Sequence, residues 1–142
     1  MSEARISPMD RGFLFGDGIY EVIPSYDGKL VGFGPHLQRM QNGLDAIEIP
    51  LHMDHTQWRE IAAQLIARNG GGNLGLYFHV SRGADTKRHH AFPTGITPTV
   101  FAFTYSISPS PVPDKRAITP FLVVTAQDLR WHRCNIKSIS LL

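Results

Sequence analysis

The sequence has few of the features that mark secreted, membrane-spanning or nucleic-acid-binding proteins. Its single cysteine, Cys134, cannot form an internal disulfide, which fits the reducing cytoplasm. No apolar run approaches the roughly 20 residues that span a bilayer, and no signal-like segment opens the chain. Fourteen Lys and Arg against twelve Asp and Glu leave a net charge of +2, which is too small to indicate nucleic acid. We therefore expect a cytoplasmic protein that acts on small molecules and binds neither nucleic acid nor membranes.

The sequence is also poor in the signals of disordered and fibrous proteins. Apolar residues make up 42% of the chain and charged residues 18%, which is the composition of an ordinary globular protein. The 13 Gly and 10 Pro show no three-residue period, which excludes a collagen-like chain. A length of 142 residues allows one domain, or one small domain and the start of another.

Apolar periodicity predicts a pair of strands, a pair of helices and a second pair of strands, in that order. The predicted strands cover residues 19–26, 29–33, 75–82 and 99–106, and the predicted helices cover residues 36–47 and 55–68. This order is typical of an α+β fold. We expect a two-layer small domain in which an antiparallel sheet packs against the two helices.

Local signals refine several of these elements. Asp27-Gly28 predicts a tight hairpin between the first two strands, and Pro24 predicts that the first strand is an edge strand or carries a bulge. Asp54 is suited to cap the second helix. Three glycines within residues 10–18 predict tight turns rather than a helix.

The composition changes twice towards the end of the chain. Residues 106–116 carry three prolines and no long apolar run, which predicts a linker after a small domain formed by residues 1–105. Residues 117–126 are apolar again and predict a strand, so that residues 117–142 would begin a larger domain. Because the chain ends on an apolar stretch without a polar tail, we expect it to be truncated within that domain.

Two motifs favour plain structural interpretations. The glycine-rich run 69–75 lacks the Lys-Ser/Thr of a nucleotide-binding P-loop and precedes a strand, so we predict a simple loop. His52 and His55 flank Asp54 and resemble the start of a metal site, but no pattern places a third ligand. We therefore predict surface histidines and no metal site.

Two basic features offer more chemistry. Arg88, His89 and His90, together with Arg82, form a cationic cluster between two predicted strands. An arginine can hold a carboxylate or phosphate with two hydrogen bonds, so the cluster is either an anion site or a solvated basic loop. Lys137 lies among apolar residues, and a strand there could turn its amine inward. A desolvated lysine amine is a nucleophile towards carbonyl groups, although most lysines are solvated.

Five segments, taken together, resemble the class IV aminotransferases, which are pyridoxal-phosphate enzymes of fold type IV. The segments are DRGFLFGDGIYE at 10–21, PHLQRM at 35–40, SRG at 81–83, RHHAFP at 88–93 and DLRWHRCNIKSISLL at 128–142. They occur in one order with one set of spacings through essentially the whole chain. The loop at 88–93 and the Arg-Trp before the lysine are most similar to the branch of the family that acts on D-amino acids.

The resemblance implies a role for five residues. Lys137 would form a Schiff base with pyridoxal 5'-phosphate and later move the α-proton of the substrate, and Arg39 would bind the cofactor phosphate. Tyr20 would help to receive the substrate carboxylate. Arg88 and His90 would complete that carboxylate site from the neighbouring subunit, which implies a homodimer with shared active sites. The substrates would be an amino acid and a 2-oxo acid, and the reaction transamination of D-amino acids.

The resemblance also implies a longer protein. Chains of this family continue for roughly another domain of ~100–150 residues, which carries further cofactor-binding groups. Without them, we expect this chain alone to be a poor or inactive transaminase. Three alternatives stay open at this point: a branched-chain aminotransferase, an aminodeoxychorismate lyase of the same fold, and a non-catalytic fragment that dimerises.

Overall fold

A four-stranded antiparallel sheet and two long helices form the two-layer α+β domain that the sequence predicts. The computed structural model describes residues 3–127 and 132–140. In chain order the elements are α1 (Arg11–Phe15), β1 (Gly18–Tyr26), β2 (Lys29–Leu30), α2 (Phe33–Ala46), α3 (His55–Arg68), β3 (Leu74–Ser81), β4 (Thr99–Ser106) and a 3₁₀ helix (Lys115–Ala117). None of the described helices is long and apolar enough to cross a membrane.

The strands lie in the order β2-β1-β3-β4, and every pair is antiparallel. β1 pairs with β3 from Gly18 to Ser25, whereas β2 covers only the last two residues of β1. Pro24 points its carbonyl away from β3, where it accepts a hydrogen bond from the amide of Val31 at 2.9 Å. Because the missing N–H of a proline lies on that same side, the β1–β3 ladder loses no hydrogen bond. The prediction of an edge strand or a bulge is wrong, because β1 lies between β2 and β3 and its register with β3 is continuous.

One face of the sheet is buried against α2 and α3. Alternate residues of β1 and β3 point towards the helices. The buried core includes Ile19, Ile23, Phe33, Met40, Leu44, Trp58, Leu76, Phe78 and Val80. The centroids of the Trp58 and Phe78 rings lie 5.1 Å apart. The helix α3 begins where the sequence predicts because the Asp54 carboxylate and the Gln57 side chain form a capping box.

The other face of the sheet is not covered by α2 and α3 and is rich in aromatic side chains. The short helix α1 packs against one end of it, where Gly12 lies beside Ser81. We call this side of the sheet the open face, and its large members are Tyr20, Tyr77, Phe101, Phe103 and Tyr105. Rings from β3 and β4 pack side by side here, with the centroids of Tyr77 and Phe103 at 4.9 Å. The strand alternation therefore divides the sheet into a dry face for stability and a partly exposed face that is available for chemistry.

The prediction of turns in place of a helix at residues 10–18 is wrong, because Arg11–Phe15 form the short helix α1. The side chain of Asp10 accepts from the amide of Gly12 at 2.8 Å and from the hydroxyl of Thr99 at 2.7 Å. Gly16 ends the helix with φ of +64°, a left-handed conformation that favours glycine. The hydrogen bond from Thr99 of β4 to Asp10 thus stabilises α1, which is too short to form from its local sequence alone.

The strand predicted over residues 117–126 is also not formed. Residues 118–127 pair with no strand in the part of the chain that the structure describes. The side chains of Phe121, Leu122, Val123 and Val124 are each more than 80% exposed. Alternating apolar residues need a neighbouring strand to form a ladder, and none of the described strands lies beside them. The linker and the second domain remain predictions.

Candidate active site

A short segment near the end of the described chain extends the sheet at the uncovered edge of β1. Residues 136–140 run antiparallel to the start of β1, with Ser138 opposite Ile19. The amide of Tyr20 donates to the carbonyl of Lys137 at 3.1 Å. Because β2 does not reach this stretch of β1, its backbone groups are available for the segment.

Side chains fix the segment on both sides. Ile136 packs against the hydrophobic core, on the helix side of the sheet. The hydroxyl of Ser140 donates to the carbonyl of Gly16 at the end of α1, at 2.9 Å. A Cβ atom added to Gly18 would lie 3.0 Å from the side chain of Ile139 and 2.5 Å from the carbonyl oxygen of Val80. Glycine at position 18 is therefore required for the close approach of these chains.

The register places the two predicted residues Tyr20 and Lys137 side by side on the open face. The Lys137 Nζ atom lies 4.0 Å from the centroid of the Tyr20 ring, which is the geometry of a cation–π contact. Lys137 is half-buried. The other side of the Tyr20 ring is stacked near Tyr77, with centroids 5.6 Å apart. The amine is thus held by a ring that leaves its hydrogen-bond donors available.

Two polar groups extend this arrangement across the open face. The Tyr77 hydroxyl lies 3.1 Å from Nδ1 of His79, and His79 is directly opposite Tyr20 in the β1–β3 register. Burial raises the pKa of the Tyr77 hydroxyl, and negative charge on Tyr20 would raise it further. Burial lowers the pKa of His79 by more than the nearby Asp10 carboxylate raises it, so the neutral imidazole is favoured.

Arg39, on α2, makes a bidentate ion pair with the fully buried carboxylate of Glu21. Its Nε and Nη2 atoms donate to the two oxygens of Glu21 at 2.6 and 2.7 Å, and Nδ1 of His36 lies 2.8 Å from one of them. Burial would raise the pKa of Glu21, but the hydrogen bonds from Arg39 and His36 outweigh it and the pKa is lowered. The hydrogen bond with Glu21 raises the pKa of Arg39, and Tyr20 makes a smaller contribution in the same direction.

The Arg39 guanidinium still faces solvent. The side chain is 48% exposed, and no described residue accepts a hydrogen bond from Nη1. A cavity of about 360 Å³, lined by Gly32, Pro35, His36 and Arg39, opens beside it. Glu21 was not predicted as a site residue. A charged residue within the otherwise apolar alternation of β1 was the available signal.

Arg88 and His90 lie together in the loop between β3 and β4, against the ring of Phe15. The guanidinium carbon of Arg88 is 4.9 Å from the centroid of Phe15, and the His90 ring centroid is 5.3 Å from it. Both residues are exposed. No contact between this pair and Tyr20 or Lys137 occurs in residues 3–127 and 132–140.

Arg82 does not belong to the exposed cationic cluster that the sequence suggested. It is buried and shares the Asp17 carboxylate with Arg11, with Nε–Oδ2 distances of 2.7 Å for Arg82 and 2.8 Å for Arg11. Arg82 also donates to the carbonyls of Ile47 and Glu48. Burial would raise the pKa of Asp17, but the two arginines outweigh it and lower the pKa. This cluster ties the loop after β3 to the start of β1 and to the end of α2.

The remaining motifs are located in ordinary structural positions. Residues 69–73 form the turn between α3 and β3, where Gly70, Gly71 and Gly72 all have positive φ. His55 lies edge-on to Phe33 at 5.0 Å. No group of three or more His, Cys, Asp or Glu in the described part of the chain could hold a metal ion.

Comparison with known proteins gives consistent matches. The family model for amino-transferase class IV matches residues 18–142. The chain is 38% identical to a D-alanine aminotransferase from Staphylococcus epidermidis, over 99% of this chain and 49% of the relative. It is 37% identical to a D-alanine aminotransferase from Bacillus licheniformis, over 99% of this chain and 48% of the relative. The chain thus spans about half the length of the curated relatives it matches.

Solved structures share the fold. A 4-amino-4-deoxychorismate lyase from Pseudomonas aeruginosa matches with a TM-score of 0.60 and 30% identity, over 80% of this chain and 39% of that one. The branched-chain amino acid aminotransferase of Escherichia coli matches with a TM-score of 0.68, over 75% of this chain and 36% of that one. Its identity of 17% supports a common fold only.

Proposed function

The chain belongs to the class IV aminotransferase family, a family of pyridoxal-phosphate enzymes, and we propose that the whole protein transfers amino groups between D-amino acids and 2-oxo acids. The observation that carries the proposal is the contact between Lys137 and Tyr20. These residues lie at opposite ends of the chain, yet the pairing of residues 136–140 with β1 brings Nζ to 4.0 Å from the ring.

Two of the predicted residues have the chemistry that pyridoxal phosphate needs: Lys137, on the open face, and Arg39, on α2 at the helix side of the sheet. Lys137 would hold the cofactor through its amine, which is half-buried and carries no carboxylate partner among the described residues. Arg39, which lines the adjoining cavity, would bind the phosphate through Nη1, which has no acceptor in the described part of the chain. When bound, the cofactor withdraws the electron pair that remains on the substrate after loss of its α-proton.

The protein residues supply position and proton transfer. The Lys137 amine takes the α-proton at Nζ and returns it later, as a general base and then a general acid. The ring of Tyr20 limits the directions in which this amine can point, because it covers one side of it. The Tyr20 hydroxyl receives one oxygen of the substrate carboxylate.

Arg88 and His90 supply the remaining carboxylate contacts, and we propose that they do so for the site of a neighbouring subunit. Their position against Phe15, without contact to Lys137 in the described residues, supports this assignment. The whole protein is accordingly a homodimer with shared active sites. By binding the substrate carboxylate, Arg88 and His90 fix which face of the α-carbon is turned towards Lys137. This orientation determines the preference for D-amino acids.

The experiment that tests the proposal is borohydride trapping of pyridoxal phosphate on the purified 142-residue chain, followed by peptide mass spectrometry. We expect the reduced adduct on Lys137 and its loss in Lys137→Ala. The other three lysines, Lys29, Lys87 and Lys115, are exposed and provide internal controls, with Lys29→Ala as the matched variant. Labelling that spreads over all four lysines and is unchanged in Lys137→Ala would contradict the assignment.

Assays with a D-amino acid and 2-oxoglutarate separate the chemistries. A new amino acid as product supports transamination, and release of pyruvate or ammonia alone supports the lyase. A preference for branched L-amino acids supports the branched-chain enzyme. For the 142-residue chain by itself we expect little or no turnover, because it spans about half of its relatives. Measurable D-alanine transamination by the purified chain would overturn that expectation.

A further inference from the structure

The loop that carries Arg88 and His90 is tied to α1 through its backbone. Arg11 donates from Nη1 to the carbonyl of His89 at 2.6 Å and from Nη2 to the carbonyl of His90 at 3.3 Å. Arg11 is itself buried and fixed by Asp17. These bonds place the loop backbone but leave the Arg88 and His90 side chains to be placed by something else.

The ring of Phe15 contacts both of these side chains. This half-buried ring also packs against Arg11, whose guanidinium carbon lies 4.7 Å from its centroid. No acidic side chain in the described part of the chain pairs with Arg88 or His90. The phenyl ring of Phe15 therefore packs against both the Arg88 guanidinium and the His90 imidazole.

A ring positions a guanidinium differently from a carboxylate. An Asp or Glu would use the in-plane N–H donors of Arg88 and would compete with an anionic ligand. A phenyl ring attracts the cation through its π face and leaves those donors available. Phe15 can thus order Arg88 while keeping it able to bind a carboxylate with two hydrogen bonds.

The helix that bears Phe15 also contacts the segment that bears Lys137, through the bond from Ser140 to the Gly16 carbonyl. We propose that Phe15 is a positioning residue, whose ring holds the Arg88 and His90 side chains in the arrangement that receives a substrate carboxylate. This inference rests on the proposed function of Arg88 and His90.

The test is a nuclear magnetic resonance titration of the full 142-residue chain with D-alanine, which follows side-chain signals of Arg88 and His90. Ethylamine, which lacks the carboxylate, is the control ligand. In the wild-type chain we expect ring-current shifts on both side chains and saturable changes with D-alanine but not with ethylamine. Phe15→Leu, which keeps an apolar side chain of similar size, should abolish the ring-current shifts and weaken D-alanine binding by about fivefold.

Two further variants separate positioning from folding. Phe15→Tyr retains the ring and should restore both readouts. Phe13→Leu alters the neighbouring phenylalanine of α1, which is 76% exposed, and should leave both unchanged. Equal D-alanine binding by the wild-type chain and Phe15→Leu overturns the positioning role. Absence of any response of Arg88 and His90 in the wild-type chain instead refutes the proposed carboxylate site, and the inference with it.

Discussion

Two carboxylates, the largely buried Asp17 and the fully buried Glu21, are four residues apart and each binds two basic side chains. Their clusters differ in what they leave exposed. Both arginines on Asp17 are almost fully buried, and both donate further hydrogen bonds to backbone carbonyls. On Glu21, in contrast, Arg39 is about half-exposed and His36 about one quarter. The first cluster connects parts of the fold, whereas the second leaves a cation exposed to solvent.

The largest expected effect is on the Asp17 cluster. Asp17→Asn leaves two buried guanidinium groups without their shared counter-charge, which should lower the free energy of unfolding by about 3 kcal/mol. Chemical denaturation followed by circular dichroism measures this change. A loss below ~1 kcal/mol would show that this cluster behaves like a surface ion pair.

A smaller effect is expected for Glu21→Gln. Arg39 can turn into water when it loses its partner, so the cost is mainly that of the broken charged hydrogen bonds, about 1.5 kcal/mol. The same denaturation assay applies. If Glu21→Gln destabilises the chain as much as Asp17→Asn does, the distinction between a cluster that connects parts of the fold and a cluster that faces solvent is wrong.

The smallest effect is the dependence of stability on pH. The pKa of Asp17 and that of Glu21 are both lowered in the fold, so each group contributes stability that is present above its ordinary pKa of 3.8 or 4.5. This contribution is lost as the pH falls through the lower pKa of the folded state. Melting temperatures between pH 6 and pH 3 should therefore fall less steeply in Asp17→Asn than in the wild-type chain.

Asp114→Asn is the matched control for the titration. Asp114 also pairs with an arginine, Arg116, but that arginine is 91% exposed and the pair lies on the surface. Its removal should leave both the melting temperature and its pH dependence unchanged. A control that shifts as much as Asp17→Asn would show that total charge, and not the buried cluster, decides the response.

Elements with strong local signals were predictable from the sequence. The helix α3 begins and ends as predicted, because Asp54 provides a capping box and the apolar stripe ends at Ile66, shortly before the last residue of the helix, Arg68. The strand β4 matches its prediction at residues 99–106, since its aromatic alternation admits one register. The predicted second strand is shortened to Lys29–Leu30, because α2 begins at Phe33, three residues before the prediction.

Long-range partners account for the failures. The helix α1 depends on Thr99, and the missing strand at residues 117–126 depends on a neighbour that the described residues do not supply. The candidate site also depends on residues that are distant in the sequence. Residue chemistry alone leaves open whether Lys137 is a buried nucleophile or a solvated lysine, and the register of residues 136–140 against β1 explains how it meets Tyr20.

The uncovered edge of β1 has a consequence for the order of assembly. During synthesis, β1, β3 and the helices leave the ribosome well before Lys137, and N-terminal domains fold first. The segment 136–140 then meets a completed sheet whose free amides and carbonyls act as a template. The Lys137 amine therefore reaches the Tyr20 ring by docking of its segment onto a sheet that is already formed, and the contact between the two residues is a late step of assembly.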